Sequence, residues 1–465
     1  MSVARQRRPV VVLGSGLAGL TAAVDLVDAG VPVVLLEARS RFGGATSTFA
    51  RAATPTRPGL LVDTGQHVAL RCYDAWRRLL RRLGTESLLD VQPGLTIPVL
   101  YRGGGGTRRA VLRRDRLPAP LHLLRALSGY HLLTPARRAA ALRGALALRR
   151  VDPAAGDNDR VSFGAWLRAH GQDAPTTAGV WDLFTVAACN APADEVSLAV
   201  AAGVLQRALL TSAEGADIAV PSAPLAALHV DPAVAALRAA GARVLRRTSA
   251  RAVLADIDGL RVRTDDGDIA AAAVVCAVPA HDARALLPER VEVPDGLRYA
   301  PIVNVHIVYD RPVMSDPFVA TVGGDAQWVF DRTVPSGLRA THPHAQYLAV
   351  SLSAAVRWID VPAGELVTRF SGELSGLLPA ASGASVLDAF VSRERRATFV
   401  AEPGSAALRP ATGTAIPGLV LAGAWTATGL PDTMEGAVVS GHRAAGQLLS
   451  GSAAVEAGRD SMPAR

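Results

Sequence analysis

The chain has 465 residues, of which 49% are hydrophobic and 19% charged, and its formal net charge is +8. This length exceeds what one hydrophobic core usually serves, so we expect two structural domains, and the apolar composition excludes disorder over most of the chain. The three cysteines, Cys72, Cys189 and Cys276, are odd in number and far apart. Their spacing argues against a disulfide framework and against a zinc site, and it favours a reducing compartment.

The first elements have the pattern of a βαβ unit. Residues 9–13 form a short apolar run that predicts a buried parallel strand, and residues 17–29 have helical spacing and end at Gly30. Residues 31–37 predict a second strand, which the right-handed crossover rule places beside the first. Because glycines break the N-terminal apolar run and no small-residue cleavage site follows it, we interpret this run as structure and not as a signal peptide.

A glycine motif connects this strand to this helix. Gly14, Gly16 and Gly19 match G-x-G-x-x-G, in which the first glycine permits a tight turn, the second lets a pyrophosphate approach the backbone, and the third allows close packing of helix on strand. Glu37 ends the second strand, where its carboxylate can accept hydrogen bonds from ribose hydroxyls and repel a 2′-phosphate. The order of these elements predicts a dinucleotide site that disfavours NADP.

The segment 102–150 is strongly basic, with twelve arginines and one acid, Asp115. Its pattern becomes helical from about residue 117, with leucines between the arginines and without the interleaved aromatics of a nucleic-acid platform. We therefore expect no nucleic-acid partner and favour contact with an anionic membrane surface; the alternative is a solvated arginine-rich face. No run of 18 or more apolar residues is present, so we expect a cytoplasmic protein with a peripheral position on the inner face of the plasma membrane.

Later elements alternate between helix and strand. Residues 162–170 and 177–188 predict helices, residues 252–254 and 260–263 predict a hairpin, and residues 273–278 predict a buried strand. Alternating patterns predict further strands at 304–310 and 346–352, a last buried strand at 419–422 and a helix at 433–449. We expect the tail, residues 451–465, to be disordered.

Two further motifs follow the second strand. Arg39, Arg41, Gly43 and Gly44 come just after Glu37, and the run 63–67 reads Asp-Thr-Gly-Gln-His. With these residues the sequence resembles the amine-oxidase and phytoene-desaturase superfamily of FAD enzymes. The resemblance implies that Arg41 contacts the pyrophosphate and that the glycine pair passes close to the flavin, where an extended cofactor needs glycine for backbone approach.

The resemblance extends to the C-terminal half. Residues 249–253 and 273–279 are similar to the family's strand pair that closes over adenine, with the Val253 backbone as the contact. Residues 421–426 and 433–441 are similar to its closing motif, in which a helix N-terminus points at the flavin ring. Ala424 departs from this motif, since the family usually has Asp or Glu there to hold a ribityl hydroxyl; the loss weakens cofactor binding by about 1 kcal/mol.

The resemblance implies an α/β fold, with a Rossmann-type parallel sheet and a second α+β substrate domain, in discontinuous segments. We assign residues 1–105, 215–285 and 405–450 to the FAD-binding domain, and residues 106–214 and 286–404 to the substrate domain. The residues assigned to FAD are Gly14, Gly16, Leu17, Ala18, Gly19, Glu37, Ala38, Arg39, Arg41, Gly43, Gly44, Gln66, His67, Val253, Gly423, Ala424, Thr433, Met434, Gly436 and Ala437.

Segments in the middle and near the end of the chain point to one group within this superfamily. Residues 65–68, 300–306, 309–313, 327–332 and 425–431 look like the hydroxysqualene dehydroxylases of bacterial hopanoid synthesis. That resemblance implies reduction of hydroxysqualene to squalene, with hydride from reduced flavin delivered to an allylic carbon and loss of water. Such chemistry needs an apolar tunnel and a proton donor.

We name three candidates for the proton donor, Asp331, His306 and Glu435 in falling order. The alternatives are an ion pair between Asp331 and Arg332 and a core role for His306. Aromatic faces can stabilise a cation, and the aromatic residues of the distinctive motifs are therefore candidate substrate contacts: Trp328, Phe330 and Trp425.

Two other functions stay open at this point. One is an FAD-dependent squalene or carotenoid desaturase, because the same fold serves both directions of electron flow. The other is a non-catalytic isoprenoid carrier, against which the intact glycine motif and Glu37 argue. Only one dinucleotide motif is present, so the electron donor is unassigned, as is the oligomeric state; the expected substrate is a hydrophobic isoprenoid, and no metal site is expected.

Overall fold

A computed structural model describes residues 8–103, 106–257, 259–293 and 295–460. Its strands, in chain order, are β1 (Val10–Leu13), β2 (Val33–Glu37), β3 (Thr48–Arg51), β4 (Leu60–Asp63), β5 (Ala69–Leu70), β6 (Leu89–Val91), β7 (Thr96–Gly103), β8 (Gly106–Arg113), β9 (Ile218–Pro221), β10 (Arg243–Arg246), β11 (Ala250–Asp256), β12 (Gly259–Thr264), β13 (Gly267–Ala271), β14 (Ala273–Cys276), β15 (Tyr299–Tyr309), β16 (Phe318–Val322), β17 (Trp328–Asp331), β18 (Gln346–Leu352), β19 (Val386–Phe399) and β20 (Leu419–Leu421).

The helices lie mostly between these strands, and one closes the chain. In chain order they are α1 (Leu17–Asp28), α2 (Asp74–Leu83), α3 (Leu124–Ser128), α4 (Pro135–Leu148), α5 (Gly156–Asp159), α6 (Phe163–Ala169), α7 (Ala174–Thr176), α8 (Asp182–Cys189), α9 (Leu198–Leu205), α10 (Asp231–Ala239), α11 (Ala280–Leu286), α12 (Leu338–Thr341), α13 (Ala363–Leu377) and α14 (Met434–Asp460). Among the described helices, none is both long and apolar enough to cross a bilayer.

The first sheet is wholly parallel, with the strand order β10-β2-β1-β14-β20. All residues of β1, β2 and β14 are buried, as expected of strands that helices cover on both faces. The predicted opening strand, helix and second strand are confirmed, and so are the strands predicted at 273–278 and 419–422. The carboxyl ends of β1 and β2 place Gly14 and Glu37 at one edge of this sheet.

The second sheet is mixed and has seven strands in the order β19-β15-β18-β17-β16-β7-β8. One face packs against α13, and the other faces a cluster built largely from the helices between β8 and β9. Strand β7 belongs to this sheet, although we assigned residues up to 105 to the first domain. Its parallel pairing with β16, in which Val99 lies opposite Ala320, carries it there. The predicted α/β fold with a second α+β domain is confirmed.

Helix α14 continues to Asp460, and residues 451–460 are therefore helical where we expected a disordered tail. Alanine and glutamate are strong helix formers, and this stretch contains several alanines and Glu456, which favours continuation of the helix. Residues 461–465 lie outside the described part of the chain.

Candidate active site

The glycine loop between β1 and α1 has the geometry that pyrophosphate binding needs. Gly14 has φ +93°, and a Cβ on it would lie 2.9 Å from the Ala277 carbonyl oxygen. A Cβ on Gly19 would collide with the Gly14 carbonyl oxygen, so only glycine lets α1 start this close to β1. Gly16 differs from both, because a Cβ there meets nothing within 4 Å. The backbone at Gly16 therefore faces open space into which a phosphate can approach.

Glu37 links the end of β2 to this loop. One carboxylate oxygen accepts hydrogen bonds from the Ser15 backbone N–H at 3.1 Å and the Ser15 hydroxyl at 2.5 Å. The other accepts the Arg39 N–H at 2.8 Å and keeps a lone pair for a further donor. Glu37 is buried but borders the loop, and that remaining lone pair is the one a ribose hydroxyl can use.

The second glycine pair makes direct backbone contact with the first loop. Gly43 donates its N–H to the Ser15 carbonyl at 3.0 Å, and a Cβ on Gly44 would lie 3.1 Å from the Gly16 Cα. Gly43 and Gly44 both have positive φ, at +103° and +55°. The two glycine motifs, separated in sequence, therefore form one continuous backbone cradle.

A cavity of about 530 Å³ opens beside this cradle. It is lined on one side by Arg39, Arg41 and Gly44 and on the other by Ser392 of β19. In the part of the chain that the structure describes, neither guanidinium has a hydrogen-bond or ion-pair partner, and Arg41 lies 5.5 Å from the Phe49 ring. Two free guanidinium groups at the wall of a cavity are the donor set that a pyrophosphate requires.

Gln66 has an unpaired polar atom that a bound cofactor could satisfy. Its Oε1 atom is buried and accepts no hydrogen bond from the described residues. Buried polar atoms are seldom left unpaired in native proteins. Together with the open space at Gly16 and the free guanidinium groups of Arg39 and Arg41, this atom shows that the residues present fit FAD.

The C-terminal segment reaches the site through the packing of α14 on α1. A Cβ on Gly441 would collide with the Ala18 carbonyl oxygen and lie 2.8 Å from the Thr21 Cβ. Leu17 of α1 and Met434 of α14 are also buried in the same hydrophobic cluster. The helix that follows Thr433 therefore packs against the helix that begins at the glycine cradle.

The loop before α14 is held by a residue that sequence reasoning missed. Arg409 is buried and donates to the carbonyl oxygens of Ala424, at 2.7 Å, and Thr426, at 2.5 Å, and to the Thr428 hydroxyl at 2.8 Å. Burial lowers the pKa of Arg409 to about 10. Gly423 has φ +132°, and a Cβ there would collide with the Trp425 ring. Nothing in the sequence around Arg409 indicates this role.

The segment expected at adenine lies beside the same edge of the first sheet. Val253 is buried in one cluster with Leu13 and Leu36, the residues before Gly14 and Glu37. The chain just before β11 is bound to the end of β2, because Thr248 donates its N–H to the Glu37 carbonyl at 2.9 Å. Arg247 likewise donates its N–H to the Arg39 carbonyl at 3.1 Å, so Ala38 lies between two backbone contacts.

His67 is partly buried. Its Nδ1 atom lies 3.0 Å from the Gly65 carbonyl oxygen, and burial lowers the pKa of the ring. A neutral ring that donates through Nδ1 keeps Nε2 free as an acceptor.

The first proton-donor candidate, Asp331, is corrected by the structure. Its Oδ1 accepts the Thr333 N–H at 2.8 Å and the Thr333 hydroxyl at 2.5 Å, and its Oδ2 accepts the Gln346 amide at 2.7 Å. Alternation along β17 places this carboxylate on the face of Val329, which packs toward α13 and away from the inner cluster. Asp331 is thus a turn-forming residue.

The alternative for Asp331, an ion pair with Arg332, is also wrong. Arg332 donates to Asp63 at 2.8 Å, and both side chains are buried. Asp63 also accepts the Thr48 hydroxyl and the Leu225 N–H. This pair joins β4 to the end of β17, so it connects the two domains.

His306 has the core role that we gave as its alternative. The ring is buried, with Nδ1 2.7 Å from the Tyr347 hydroxyl and Nε2 2.9 Å from the Ser392 hydroxyl, and it stacks on Phe390 at 4.4 Å. Burial lowers the pKa of His306 to about 3. Both nitrogens of this neutral ring bond to protein hydroxyls, so its single N–H is not available to a substrate, but the ring orients Ser392 at the cavity wall.

The third candidate, Glu435, is also corrected. Its carboxylate accepts the N–H groups of Ala75 at 3.1 Å and Trp76 at 2.9 Å, and Arg207 at 3.0 Å. The first two groups belong to the opening turn of α2, whose unpaired N–H groups need acceptors. Glu435 therefore caps α2 and pairs with Arg207, which leaves it no role as an acid.

The three aromatic candidates separate into two places. Trp328 and Phe330 lie on the inner face of the second sheet, with ring centroids 6.1 Å apart and nearly parallel planes, next to Phe318. Trp425 instead lies in the core of the first domain, where its indole N–H donates to the Val278 carbonyl at 3.0 Å. Trp425 is corrected to a core residue because that hydrogen bond and Gly423 fix it there.

Two polar residues near the site were given no role by the sequence. Asp432 directly precedes Thr433 and Met434, which the sequence assigned to FAD; its Oδ2 accepts the Phe399 N–H at 3.0 Å, and Oδ1 has no hydrogen-bond partner among the described residues. Burial raises the pKa of Asp432 to about 6. Asn304 is buried on the inner face of β15, and its Oδ1 is unpaired within the described chain. An acid directly before the closing motif was the signal for Asp432.

Comparison with known proteins places the chain among flavoenzymes. The flavin containing amine oxidoreductase family matches residues 17–449. The hydroxysqualene dehydroxylase of Sinorhizobium fredii is 32% identical over 460 residues, with 94% of this chain and 98% of that protein covered. That of Rhodopseudomonas palustris is 31% identical, with 95% and 99% covered. Among solved structures, putrescine oxidase bound to putrescine matches with a TM-score of 0.68 and 19% identity over 96% of this chain and 99% of that one, a likeness of fold alone.

Proposed function

This chain belongs to the flavin containing amine oxidoreductase family and is an FAD-dependent oxidoreductase, and we propose that its reaction is the reduction of hydroxysqualene to squalene. The full-length similarity to two hydroxysqualene dehydroxylases supports this substrate. When bound in its reduced form, FAD supplies the hydride that replaces an allylic hydroxyl, which leaves as water.

The observation that carries the proposal is the apolar inner face of the second sheet. On three neighbouring strands, β7, β16 and β17, the side chains of this face are hydrocarbon or aromatic: Ile97, Val99, Tyr101, Phe318, Ala320, Trp328 and Phe330. They share one buried cluster with the helical segment that follows β8. Such a wall suits a long isoprenoid and excludes water from a developing cation, whereas a charged amine would need a polar partner there.

The polar half of the same face lies toward the cofactor cavity. On β15 and β19, Asn304 and Ser392 lie opposite each other in register, and Ser392 lines the cavity wall. The polar groups of this face thus lie on β15 and β19, where the allylic hydroxyl would meet the cofactor. The hydrocarbon chain of the substrate would then lie along the aromatic residues of β16 and β17.

We propose Asp432 as the proton donor in place of the three corrected candidates. Departure of hydroxide needs a proton, and a carboxyl whose pKa is raised toward neutral keeps a protonated fraction that can provide it. Asp432 meets this requirement because burial raises its pKa to about 6 and because its Oδ1 carries no other hydrogen bond. Its position directly before Thr433 and Met434 places it beside the cofactor-binding helix end.

Incubation of the purified holoprotein with hydroxysqualene tests the proposed reaction. We expect the chemically reduced enzyme to form squalene, identified by mass spectrometry, and the oxidised enzyme to leave squalene unchanged. Oxidation of squalene or of a carotenoid precursor, without reduction of hydroxysqualene, would assign the chain as a desaturase and overturn the proposal. Tight binding of either lipid without turnover in both redox states would assign it as a carrier.

A further inference from the structure

The helical segment after β8 has an exposed apolar surface. Leu117, Leu121, Leu124 and Leu146 are 48%, 47%, 36% and 41% exposed. Among the described residues, only one other leucine, Leu61, is exposed to this degree. Leucines exposed singly need no explanation, but four within thirty residues of one segment do.

One of these leucines, Leu124, lines a cleft between α3 and α4. The cleft has a volume of about 500 Å³ and is lined by Leu124, Leu127 and Leu142, with Arg125 and Arg138 at its sides. On α4 the buried side is formed by small residues such as Ala141 and Gly144. The outward side therefore presents Leu142 and Leu146 one helical turn apart.

The same segment carries exposed arginines. Arg116, Arg143, Arg149 and Arg150 are exposed, and none of the four has an ion-pair partner in the described parts of the chain. Arg125 is 85% exposed and lies 4.0 Å from Asp115, the only acid in residues 102–150. We call these arginines, with Leu117, Leu121, Leu124 and Leu146, the leucine–arginine surface.

We propose that the leucine–arginine surface docks on an anionic lipid bilayer, with the leucines among the acyl chains and the arginines on the phosphate groups. Exposed leucines and exposed arginines in one helical segment, with a single acid among them, match the depth profile of an anionic leaflet, in which hydrocarbon lies below negative headgroups. Arginine side chains are long enough to keep their charge at the headgroups while the helix sits at the interface. A solvated arginine face, the alternative from the sequence, would not expose leucines in the same segment.

The inward sides of the same helices connect this surface to the interior. Ala126 of α3 and Leu148 of α4 are buried in the cluster that contains Phe330 and packs against Trp328. A water-insoluble substrate held in the bilayer would thus meet the protein at the segment that covers the aromatic wall. Only this substrate route rests on the proposed function; the lipid contact itself does not depend on which substrate is used.

Flotation of the full-length holoprotein with vesicles tests the lipid contact. We expect binding to vesicles of equimolar phosphatidylglycerol and phosphatidylcholine, weak binding to pure phosphatidylcholine, and loss of binding in about 0.5 M salt. The double variant Arg143→Glu/Arg149→Glu should weaken vesicle binding by at least about 30-fold, and Leu121→Ser/Leu146→Ser by about tenfold or more. All four positions are exposed, so the variants should keep the melting temperature and the flavin spectrum of the wild type.

Matched controls lie on the first domain. Arg238→Glu/Arg243→Glu changes the same charge at exposed arginines far along the chain, and Ile257→Ser removes a fully exposed apolar side chain at a hairpin; neither should change vesicle binding. Failure of the wild type to bind anionic vesicles at low salt overturns the proposal, as does equal loss of binding in the control variants. If Leu121→Ser/Leu146→Ser instead converts an oligomer to monomers in sedimentation velocity and leaves vesicle binding intact, the surface is a contact between copies.

Discussion

At the scale of single residues, the environment of a carboxylate decides its chemistry here. Four acids lie near the site, and the protein uses each differently. Glu37 accepts hydrogen bonds from the glycine loop, Glu435 caps a helix, and Asp331 closes a turn. Asp432 alone combines desolvation with an unengaged oxygen, which gives it the properties of an acid at neutral pH.

Substitution of Asp432 by Asn should lower the rate of hydroxysqualene reduction at least about 100-fold, since the proton donor is lost. The wild-type rate should fall as the pH rises through about 6, because only the protonated carboxyl is active. The residual rate of the variant should not show this dependence. Steady-state rates between about pH 5 and pH 8, with flavin content measured by absorbance, provide the comparison; an unchanged profile removes Asp432 from the reaction.

The same carboxylate should also affect stability. Its pKa is raised from 3.8 to about 6 in the folded protein, so the folded state resists ionisation and loses stability as the pH rises through this interval. Asp432→Asn removes the free-energy cost of ionising this buried carboxyl. The variant should therefore be more stable than the wild type above about pH 6, by up to about 3 kcal/mol, and should show no gain near pH 4. Urea unfolding at both pH values separates this effect from catalysis, since a lost structural contact would destabilise at both.

At the scale of elements, the cofactor site depends on how closely α14 packs on α1. The two helices come from opposite ends of the chain, and Gly441 allows their backbones to approach at Ala18. The first turn of α1, whose unpaired N–H groups face the glycine loop, therefore packs directly on α14. Close approach at Gly441 is part of the packing that holds α14 against this end of α1.

A methyl group at Gly441 should therefore loosen the cofactor. Gly441→Ala places a Cβ against backbone and should cost about 1–3 kcal/mol of stability and reduce the flavin content of purified protein. Gly446→Ala is the control on the same helix, since a Cβ there meets nothing within 4 Å; it should be neutral or stabilise by up to about 1 kcal/mol. Equal flavin content in the two variants would contradict the role given to this contact.

At the scale of the whole molecule, the buried pair of Asp63 and Arg332 connects the two-stranded sheet of β3 and β4 to the seven-stranded sheet. Asp63 ends β4 of the first domain and Arg332 follows β17 of the second, and both are almost fully enclosed. Breaking a buried pair leaves one charge without compensation, which costs more than the pair contributes. The cofactor cavity lies between segments of these two domains, so its shape depends on their fixed relation.

Arg332→Met should destabilise the protein by about 3–5 kcal/mol, because Asp63 remains buried and charged. The double variant Asp63→Asn/Arg332→Met should recover part of this loss. Arg251→Ala, which breaks an exposed pair with Asp265, should change stability by less than about 1 kcal/mol. Chemical unfolding followed by tryptophan and by flavin fluorescence measures all three, and a cost of Arg332→Met no larger than that of Arg251→Ala would contradict this account.

Local sequence determined the first βαβ unit and its cofactor residues. The tight turns of this unit need a backbone conformation that only glycine adopts easily. The spacing of the glycine motifs therefore predicts the roles of Gly14, Gly19 and Gly43 from the sequence. Buried parallel strands are likewise legible as apolar runs. The family resemblance added the distant segments near Val253 and Gly423.

Only the tertiary structure decided which polar side chains are free. Asp331 and Glu435 are engaged by partners distant in sequence, Gln346 and the first turn of α2, and no local pattern reveals such partners. Strand β7 joined the second sheet through pairing with a strand more than 200 residues away, which moved a domain boundary. The ionisation of Asp432 likewise comes from burial, a property of the assembled fold. The glycine cradle could therefore be predicted from the sequence, because it depends on local backbone geometry. The proposed proton donor could not, because its pKa depends on burial by residues distant in sequence.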